Sequence, residues 1–273
     1  MRRRSREARR KGENVGLVPT LGALHAGHRT LIDRAREECD FSAVTLFVNP
    51  TQFNQAADLA QYPRTFEQDL AMCEEAGVDC LFAPSAEEMY PQPGLAHVEV
   101  AELTGGLCGK FRPGHFRGVT TVVAKLFHIA EPDRAYFGEK DFQQLAVIRR
   151  MVRDLDFAVE IVGVPTVREF DGLALSSRNA RLSGAEREAA TVLSRALRLA
   201  ADAVRNGEQD VESIRELTLE AIADEPLARP EYVEIVDPET LAPVARVERE
   251  ARLVLAVWVG EVRLIDNASL RPA

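Results

Sequence analysis

The stretch that decides the fold is Val-Gly-Leu-Val-Pro-Thr-Leu-Gly-Ala-Leu-His-Ala-Gly-His, residues 15–28. Its apolar run ends at Pro19 and predicts a buried strand, and Gly22 marks the turn that follows. Apolar residues at helical spacing come next: Leu31, Ile32, Ala35 and Cys39. The pattern therefore predicts a strand, a turn and a helix, with His25 and His28 at the turn. Because the first N–H groups of a helix attract anions, we hypothesise a phosphate or nucleotide site there.

Strands alternate with helices from Val15 to Pro165, which predicts right-handed βαβ units and an α/β fold with a Rossmann-like, doubly wound parallel sheet. From about Arg181 two helices are followed by strand-like runs, which predicts a second, smaller α+β domain at the C-terminus. We therefore expect domains at residues 1–180 and 181–273, joined by a hinge near 178–184. Either the smaller domain, acting as a lid, or the loop Lys110–Gly118 is expected to close the site.

Three local predictions concern the segments between the strands. Thr65, with Gln68 three residues on, has the pattern of a helix capping box. The residues His97–Val100 have the alternation of a short edge strand. The residues Leu107–Gly118 are basic and rich in glycine, which indicates a long binding loop.

Composition narrows the function classes. The chain has 273 residues, 46% of them hydrophobic, and a formal net charge of −9, which argues against a broad nucleic-acid surface. Neither a membrane span nor a signal peptide is visible in the sequence, so we expect a cytoplasmic protein whose four cysteines are reduced packing residues.

The N-terminus is an exception to the acidic balance. Six arginines and one lysine fall within the first eleven residues. A solvated tail or a shortened first helix explains such a cluster, and a polyanion-binding arm is the alternative.

Several residues suit phosphate chemistry. The pair His25 and His28 lacks the i, i+4 spacing and the glutamate of a zincin helix, so donation to phosphate is favoured over zinc, although helix-start packing alone explains an isolated pair. Lys140 follows a strand and offers a point charge. The triplet Ser176-Ser177-Arg178 offers two hydroxyls and a guanidinium fork, a combination that many surface loops also contain.

Two neutral amides suit a carboxylate substrate. Gln52 and Gln144 both follow strands, at the edge where a doubly wound sheet binds ligands. An amide holds a carboxylate without locking it in an ion pair, so the carboxylate keeps its reactivity as a nucleophile. Turn formation alone is the simpler explanation for both.

Taken together, the motifs resemble the pantothenate synthetase (pantoate–β-alanine ligase) family, within the His-x-Gly-His nucleotidyltransferase superfamily. They occur in the family's order along most of the chain: residues 19–28 (PTLGALHAGH), 47–53 (FVNPTQF), 62–65 (YPRT), 112–118 (RPGHFRG), 137–144 (FGEKDFQQ) and 171–179 (DGLALSSRN). His-x-Gly-His alone marks the wide superfamily, whereas the whole series is far more specific.

The resemblance implies an ATP-dependent ligase. Pantoate attacks the α-phosphorus of Mg-ATP to give pantoyl adenylate and pyrophosphate, and β-alanine then attacks the adenylate to give pantothenate and AMP. The family also implies ATP and Mg²⁺ as cofactors, a homodimer, and neither nucleic acid nor a membrane as partner.

The family's site residues carry over position by position. His28 matches the proton donor, and with His25, Lys140 and Arg178 it is expected to act on the phosphates. Gln52 matches the residue that binds pantoate and β-alanine, and Gln144 matches one that binds pantoate. The positions that match ATP-binding residues are Leu21, Gly22, Ala23, Leu24, His25, Ala26, Gly27, His28, Gly138, Glu139, Lys140, Asp141, Val167, Leu175, Ser176, Ser177 and Arg178.

Three positions depart from the family pattern. Leu21 replaces the usual methionine, a change of similar volume. Gln68 stands where an acidic residue is common, which leaves the neighbouring Asp69 as a candidate protein ligand for Mg²⁺, with phosphates and water supplying the rest. The leading helix is short.

Two alternatives stay open on the residues alone. Another His-x-Gly-His adenylyltransferase shares the nucleotide loops without needing Gln52 and Gln144. A nucleotide-binding regulatory module needs neither Lys140 nor both histidines.

Overall fold

A computed structural model describes residues 1–272 of the chain. Its first sheet is parallel throughout, with the strand order β3-β2-β1-β4-β5. This order confirms the Rossmann-like, doubly wound α/β prediction. The strands are β1 (Val15–Thr20), β2 (Phe41–Leu46), β3 (Cys80–Phe82), β4 (Arg134–Gly138) and β5 (Glu160–Val164).

Helices connect these strands and continue along the chain. They are α1 (Arg2–Arg10), α2 (Ala26–Glu38), α3 (Ala56–Gln61), α4 (Phe66–Glu75), α5 (Ala86–Met89), α6 (Leu107–Phe111), α7 (His115–Ala130), α8 (Phe142–Asp154), α9 (Gly184–Ala189), α10 (Val192–Arg205) and α11 (Val211–Ala223). Short 3-10 turns cover Pro50–Gln52, Glu139–Asp141 and Ser177–Arg181.

The central strands are buried because their side chains are apolar on both faces. Val18 of β1 and Val44 of β2 are fully buried and pair with each other across the ladder. They share one core cluster with Ile32 of α2, which confirms that the helical spacing after His28 points into the sheet. The carboxyl ends of β1 and β2 are tied together, because the Thr20 hydroxyl donates to the Thr45 carbonyl oxygen at 2.6 Å.

A second, antiparallel sheet has the order β6-β7-β8, formed by β6 (Ala228–Val236), β7 (Ala251–Val259) and β8 (Val262–Leu270). It packs with α10 and α11 around a separate core that includes Leu193, Ile214 and Leu253. These elements confirm the predicted smaller α+β fold at the C-terminus. Gly260 and Glu261 form the turn between β7 and β8.

The chain divides into two compact units. The first comprises residues 1–105, 109–139 and 147–165, and the second comprises 106–108, 140–146 and the chain from Thr166 on. The last of these boundaries, after which the chain stays in the second unit, falls at Thr166, ahead of the predicted boundary near 178–184. Leu173 explains the difference, since it is buried in the same core as α10 and β7.

Two local predictions were wrong, and a third was right only in part. Residues 97–100 form no strand, because the Val98 N–H donates to the Thr121 hydroxyl and the Val98 carbonyl accepts from Thr120, so α7 occupies both groups. Residues 107–118 are not one loop but contain α6 and the first turn of α7. Thr65 is the N-cap residue of α4, but the capping box does not form, because the Thr65 hydroxyl donates to Asp69 instead.

The arginine-rich N-terminus is helix α1, which agrees with the shortened-helix interpretation. Several of its guanidinium groups bond within the first unit: Arg6 pairs with the Glu131 carboxylate, and Arg9 donates to the Glu131 carbonyl oxygen and pairs with Asp133. The Arg6 hydrogen bonds hold the pKa of the Glu131 carboxyl below its usual range. Among the described residues 1–272, no helix has the length and apolar character needed to cross a membrane.

Candidate active site

The two histidines of the deciding stretch form a reciprocal cap on α2. His25 Nδ1 accepts from the Gly27 N–H at 3.1 Å, and His28 Nδ1 accepts from the His25 N–H at 3.3 Å. A backbone N–H is always a donor, so in the neutral form each ring carries its proton on Nε2. The rings are half-buried and their centroids lie 4.1 Å apart. The cap therefore assigns the proton of each neutral imidazole to Nε2.

The turn before α2 is held by a buried carboxylate. Gly22 and Ala23 both have positive φ, +88° and +52°; the Gly22 N–H donates to the Thr20 hydroxyl, and the two N–H groups that follow it converge on a common point. Asp69 occupies that point and accepts from the N–H groups of Ala23 at 2.9 Å and Leu24 at 2.8 Å. Asp69 is 3% exposed. Asp69 thus occupies the backbone concavity before α2, which is separate from the helix start where the sequence predicts a ligand anion.

A second polar side chain, Gln52, lies in the 3-10 turn that follows β2. The neighbouring Asn49 is fully buried, and its Oδ1 accepts from the Thr51 N–H and from the Tyr90 hydroxyl. Its Nδ2 must therefore donate, and it does so to Gln52 Oε1 at 3.0 Å. Gln52 in turn presents its Nε2 amide as a donor, which suits a carboxylate or hydroxyl oxygen. This polarity follows from the Thr51 backbone N–H, which can only donate.

Helix α7 approaches this turn very closely at Gly118. A Cβ at Gly118 would lie 2.4 Å from the Thr51 carbonyl oxygen and 2.7 Å from the Gln52 nitrogen. The Gly118 carbonyl oxygen also accepts from Asn49 Nδ2 at 3.1 Å. Only glycine permits this contact, so α7 supports the turn that carries Gln52.

The remaining predicted residues belong mostly to the second unit. Lys140 is 17% exposed in its side chain and has its ammonium 3.9 Å from the Asp141 carboxylate. Its carbonyl oxygen accepts from Asn267 Nδ2 at 3.0 Å, which fixes the main chain at this lysine. Gly138 and Glu139, which precede it, belong to the first unit.

Of two adjacent glutamines, one is structural. Gln143 is buried and bonds through Oε1 to the Cys108 N–H and through Nε2 to the Gly106 carbonyl oxygen. Gln144 is half-buried, and its side-chain amide makes no hydrogen bond to another residue among residues 1–272. Gln144, the glutamine predicted to bind pantoate, is therefore the one whose side-chain donor and acceptor are not used within the described chain.

The predicted phosphate loop near Ser176 is held on both sides. Val167 accepts from the Leu175 N–H at 2.9 Å, and Ser176 caps the following 3-10 turn by accepting from the Arg178 N–H. Ser177 is half-buried, and its hydroxyl makes no hydrogen bond to the rest of the described chain. Arg178 follows at the start of the same turn. The Ser177 hydroxyl is thus presented from a turn whose backbone is fixed.

Three ion pairs, made by two arginines, hold that loop within the second unit. Arg187 bridges Glu169 at 2.6 Å and Asp171 at 2.8 Å. The Arg187 hydrogen bond holds the pKa of the Asp171 carboxyl below its usual range. Arg168 forms a two-pronged pair with Asp266, whose side chain is 1% exposed. Such paired burial makes these arginines structural supports.

The described residues do not fit a protein-held magnesium ion. Within residues 1–272 no group of three or more histidine, cysteine, aspartate or glutamate side chains is arranged to hold a metal. Both oxygens of Asp69, the candidate ligand, already accept backbone N–H groups. A hard cation prefers several oxygen ligands, so the carboxylate is better explained as a loop anchor.

Sequence reasoning missed the residues that orient the site. Asn49, Tyr90 and Gly118 were not selected, and Asp69 was selected for a different role. Asn49 lies in the quoted motif FVNPTQF, so its position three residues before Gln52 was the available signal. Nothing local in the sequence marks Tyr90.

The 3-2-1-4-5 parallel sheet defines a Rossmann-like α/β protein, and the donors after β1 and β2 lie at the edge where sheets of this class bind ligands. Comparison with known proteins then narrows the class. The model of the family described as pantoate-beta-alanine ligase matches residues 1–269. The chain belongs to this family.

Individual relatives agree. Pantothenate synthetase of Heliobacterium modesticaldum is 57% identical over 96% of this chain and 94% of its own length. The crystal structure of pantothenate synthetase from Thermus thermophilus is 50% identical, covers 98% of each chain and has a TM-score of 0.93. A pantoate-beta-alanine ligase of Francisella tularensis is 36% identical over 97% of this chain and 94% of its own, with a TM-score of 0.80, and its structure was determined as a complex with β,γ-ATP and β-alanine.

Proposed function

We propose that this chain is the ligase that joins (R)-pantoate to β-alanine at the expense of ATP. In the first step a pantoate carboxylate oxygen attacks the α-phosphorus, the bond to the β-phosphate oxygen breaks, and pyrophosphate leaves. In the second step the β-alanine amine attacks the acyl carbon of pantoyl adenylate, AMP leaves, and the amine loses a proton. The products are pantothenate, AMP and pyrophosphate.

The observation that carries this proposal is the fixed polarity of three donors on adjacent strands. His25 and His28 present Nε2–H groups after β1, and Gln52 presents an amide N–H after β2. Negative charge builds on the α-phosphate and on the leaving pyrophosphate, and preorganised donors stabilise such charge. The amide of Gln52 binds the pantoate carboxylate and leaves one of its oxygens reactive.

The remaining contacts in this proposal come from the positions that match the family's site residues. Lys140 and Arg178 offer positive charge to the phosphates, and the Ser177 hydroxyl offers a donor. Gln144, whose amide makes no hydrogen bond within residues 1–272, binds pantoate. The backbone of residues 21–28, 138–141, 167 and 175–178 contacts ATP.

Magnesium enters with ATP as part of the substrate, because the described side chains form no cage for it. We further propose that the enzyme is cytoplasmic and forms a homodimer. Light scattering of the protein as it elutes from a size-exclusion column would check the dimer. The match to relatives extends along nearly the whole chain and is not confined to the nucleotide loops, which supports the proposed ligase activity.

Isotope exchange between pyrophosphate and ATP tests the proposal. We expect exchange that requires pantoate, and AMP formation that additionally requires β-alanine. Exchange driven by a different acid, with none from pantoate, would indicate another adenylyltransferase. ATP binding without any exchange or turnover would indicate a regulatory module.

A further inference from the structure

The main chain at Gln52 is held by a histidine outside the deciding stretch. His115 is 8% exposed, and its Nδ1 lies 2.7 Å from the Gln52 carbonyl oxygen. A carbonyl oxygen only accepts, so Nδ1 must carry a proton. Arg112 lies on the other side of the ring, with a guanidinium nitrogen 3.4 Å from His115 Nε2. Because every guanidinium nitrogen is a donor, Nε2 accepts, and the ring is a neutral Nδ1–H tautomer fixed from both sides.

The same segment makes further contacts with the turn. A second nitrogen of Arg112 lies 3.4 Å from the Gln52 carbonyl oxygen, and the Asn54 side-chain amide donates to the Pro113 carbonyl oxygen. His115 and Gly118 are three residues apart at the start of α7, so they lie on one face of the helix, and that face supports the turn.

The turn needs this support because the chain after it is mostly exposed. Residues 54–57 are exposed, and α3 has no buried residue. Gln52 is the last buried residue before that segment. Asn49 fixes the side chain of Gln52 through Oε1, whereas His115 fixes its main chain through the carbonyl oxygen.

We propose that His115, held in its tautomer by Arg112, is a positioning residue that sets where the Gln52 amide meets pantoate. This inference rests on the proposed function. His115 touches neither substrate in this arrangement and acts only through Gln52. Loss of its donor frees the turn to shift, and a shift of about 1 Å in a binding group can cost roughly 100-fold in a catalytic parameter.

A near-isosteric pair of variants tests the proposal. The amide nitrogen of asparagine can replace Nδ1–H as a donor, whereas leucine of the same shape cannot. We expect His115→Leu to raise the KM for pantoate by about 10- to 100-fold with the KM for ATP unchanged, and His115→Asn to restore most of the loss. His128→Leu, an exposed position of the same helix, is the control and should change neither constant.

Thermal unfolding of each variant separates positioning from folding. If His115→Leu raises the KM for both pantoate and ATP and lowers the unfolding temperature, and His115→Asn restores none of these, His115 is a structural residue and the proposal is overturned. A leucine variant with wild-type KM for pantoate would also overturn it. If the wild-type enzyme shows no pantoate-dependent AMP formation, the proposed function fails and this inference fails with it.

Discussion

Asp69 holds Ala23 in place across 46 residues of sequence, its carboxylate accepting the Ala23 N–H at 2.9 Å and the next N–H at 2.8 Å. An amide at this position offers only one acceptor and turns a donor toward the other N–H. We therefore expect Asp69→Asn to lower the free energy of unfolding by about 1–3 kcal/mol and to raise the KM for ATP. Denaturant unfolding and steady-state kinetics check both.

The same variant distinguishes a loop anchor from a metal ligand. If Asp69 only anchors the turn, raising the magnesium concentration will not restore ATP binding. Restoration by excess Mg²⁺ would contradict the anchor interpretation. Glu67→Gln removes an exposed charge on the same helix and should leave both properties unchanged.

A methyl group at Gly118 should disturb the pantoate side of the site. Its Cβ would lie 2.4 Å from the Thr51 carbonyl oxygen, so α7 or the turn must move. We expect Gly118→Ala to cost about 1–3 kcal/mol in stability and to raise the KM for pantoate more than that for ATP. Gly184→Ala, where a Cβ meets nothing within 4 Å, serves as the control.

Asn49 should matter through the direction of its hydrogen bonds. Asn49→Asp keeps the acceptor that Thr51 and Tyr90 use but removes the donor to Gln52 Oε1. A carboxylate then faces Gln52 Oε1, and the Gln52 amide turns to donate to it. We expect pantoate-dependent exchange to fall by about 100-fold while ATP binding, measured calorimetrically, is retained. Unchanged exchange would show that Gln52 does not use this donor.

Two substitutions of His28 separate its two nitrogens. Asparagine places an acceptor near Nδ1 and can keep the cap on α2, whereas glutamine places a donor near Nε2. We expect His28→Asn to keep the unfolding temperature and to lose roughly 100- to 1000-fold in kcat. His28→Gln should be less stable but retain more activity. If His28→Asn retains more activity than His28→Gln, Nδ1 and not Nε2 serves the reaction.

Periodicity predicted the central architecture because burial there is uniform. Val18 and Val44 are fully buried, and their apolar runs needed no tertiary information. The first turn of α7 was missed because Pro113 and Gly114 look like a loop, whereas Gly114 adopts a φ of +80° as the N-cap residue. The contact of Gly118 with Thr51, which favours a helix there, is not visible in local sequence.

Residue types predicted the candidate site, but its hydrogen-bond directions required the structure. The sequence indicated two histidines and a glutamine, with no means of assigning which nitrogen or oxygen each would present. Those assignments depend on backbone donors and on Asn49, whose neighbours in space are distant in sequence. The false edge strand at residues 97–100 has the same cause, because two threonine hydroxyls of α7 take the groups that a strand partner would need.

The pair of Arg187 and Asp171 should make the loop of residues 169–178 sensitive to acid. Arg187 lowers the pKa of Asp171 in the folded protein, so the pair contributes stability above the unfolded pKa of about 3.9, which is lost as the pH falls through the folded pKa. We expect Arg187→Met to reduce the free energy of unfolding by about 1–3 kcal/mol at pH 7. The difference from wild type should stay constant between pH 5 and 8 and shrink below about pH 4. Urea unfolding at several pH values measures it, with the exposed Arg205→Met as control. A difference that grows in acid would show that the Asp171 carboxylate is not what Arg187 stabilises.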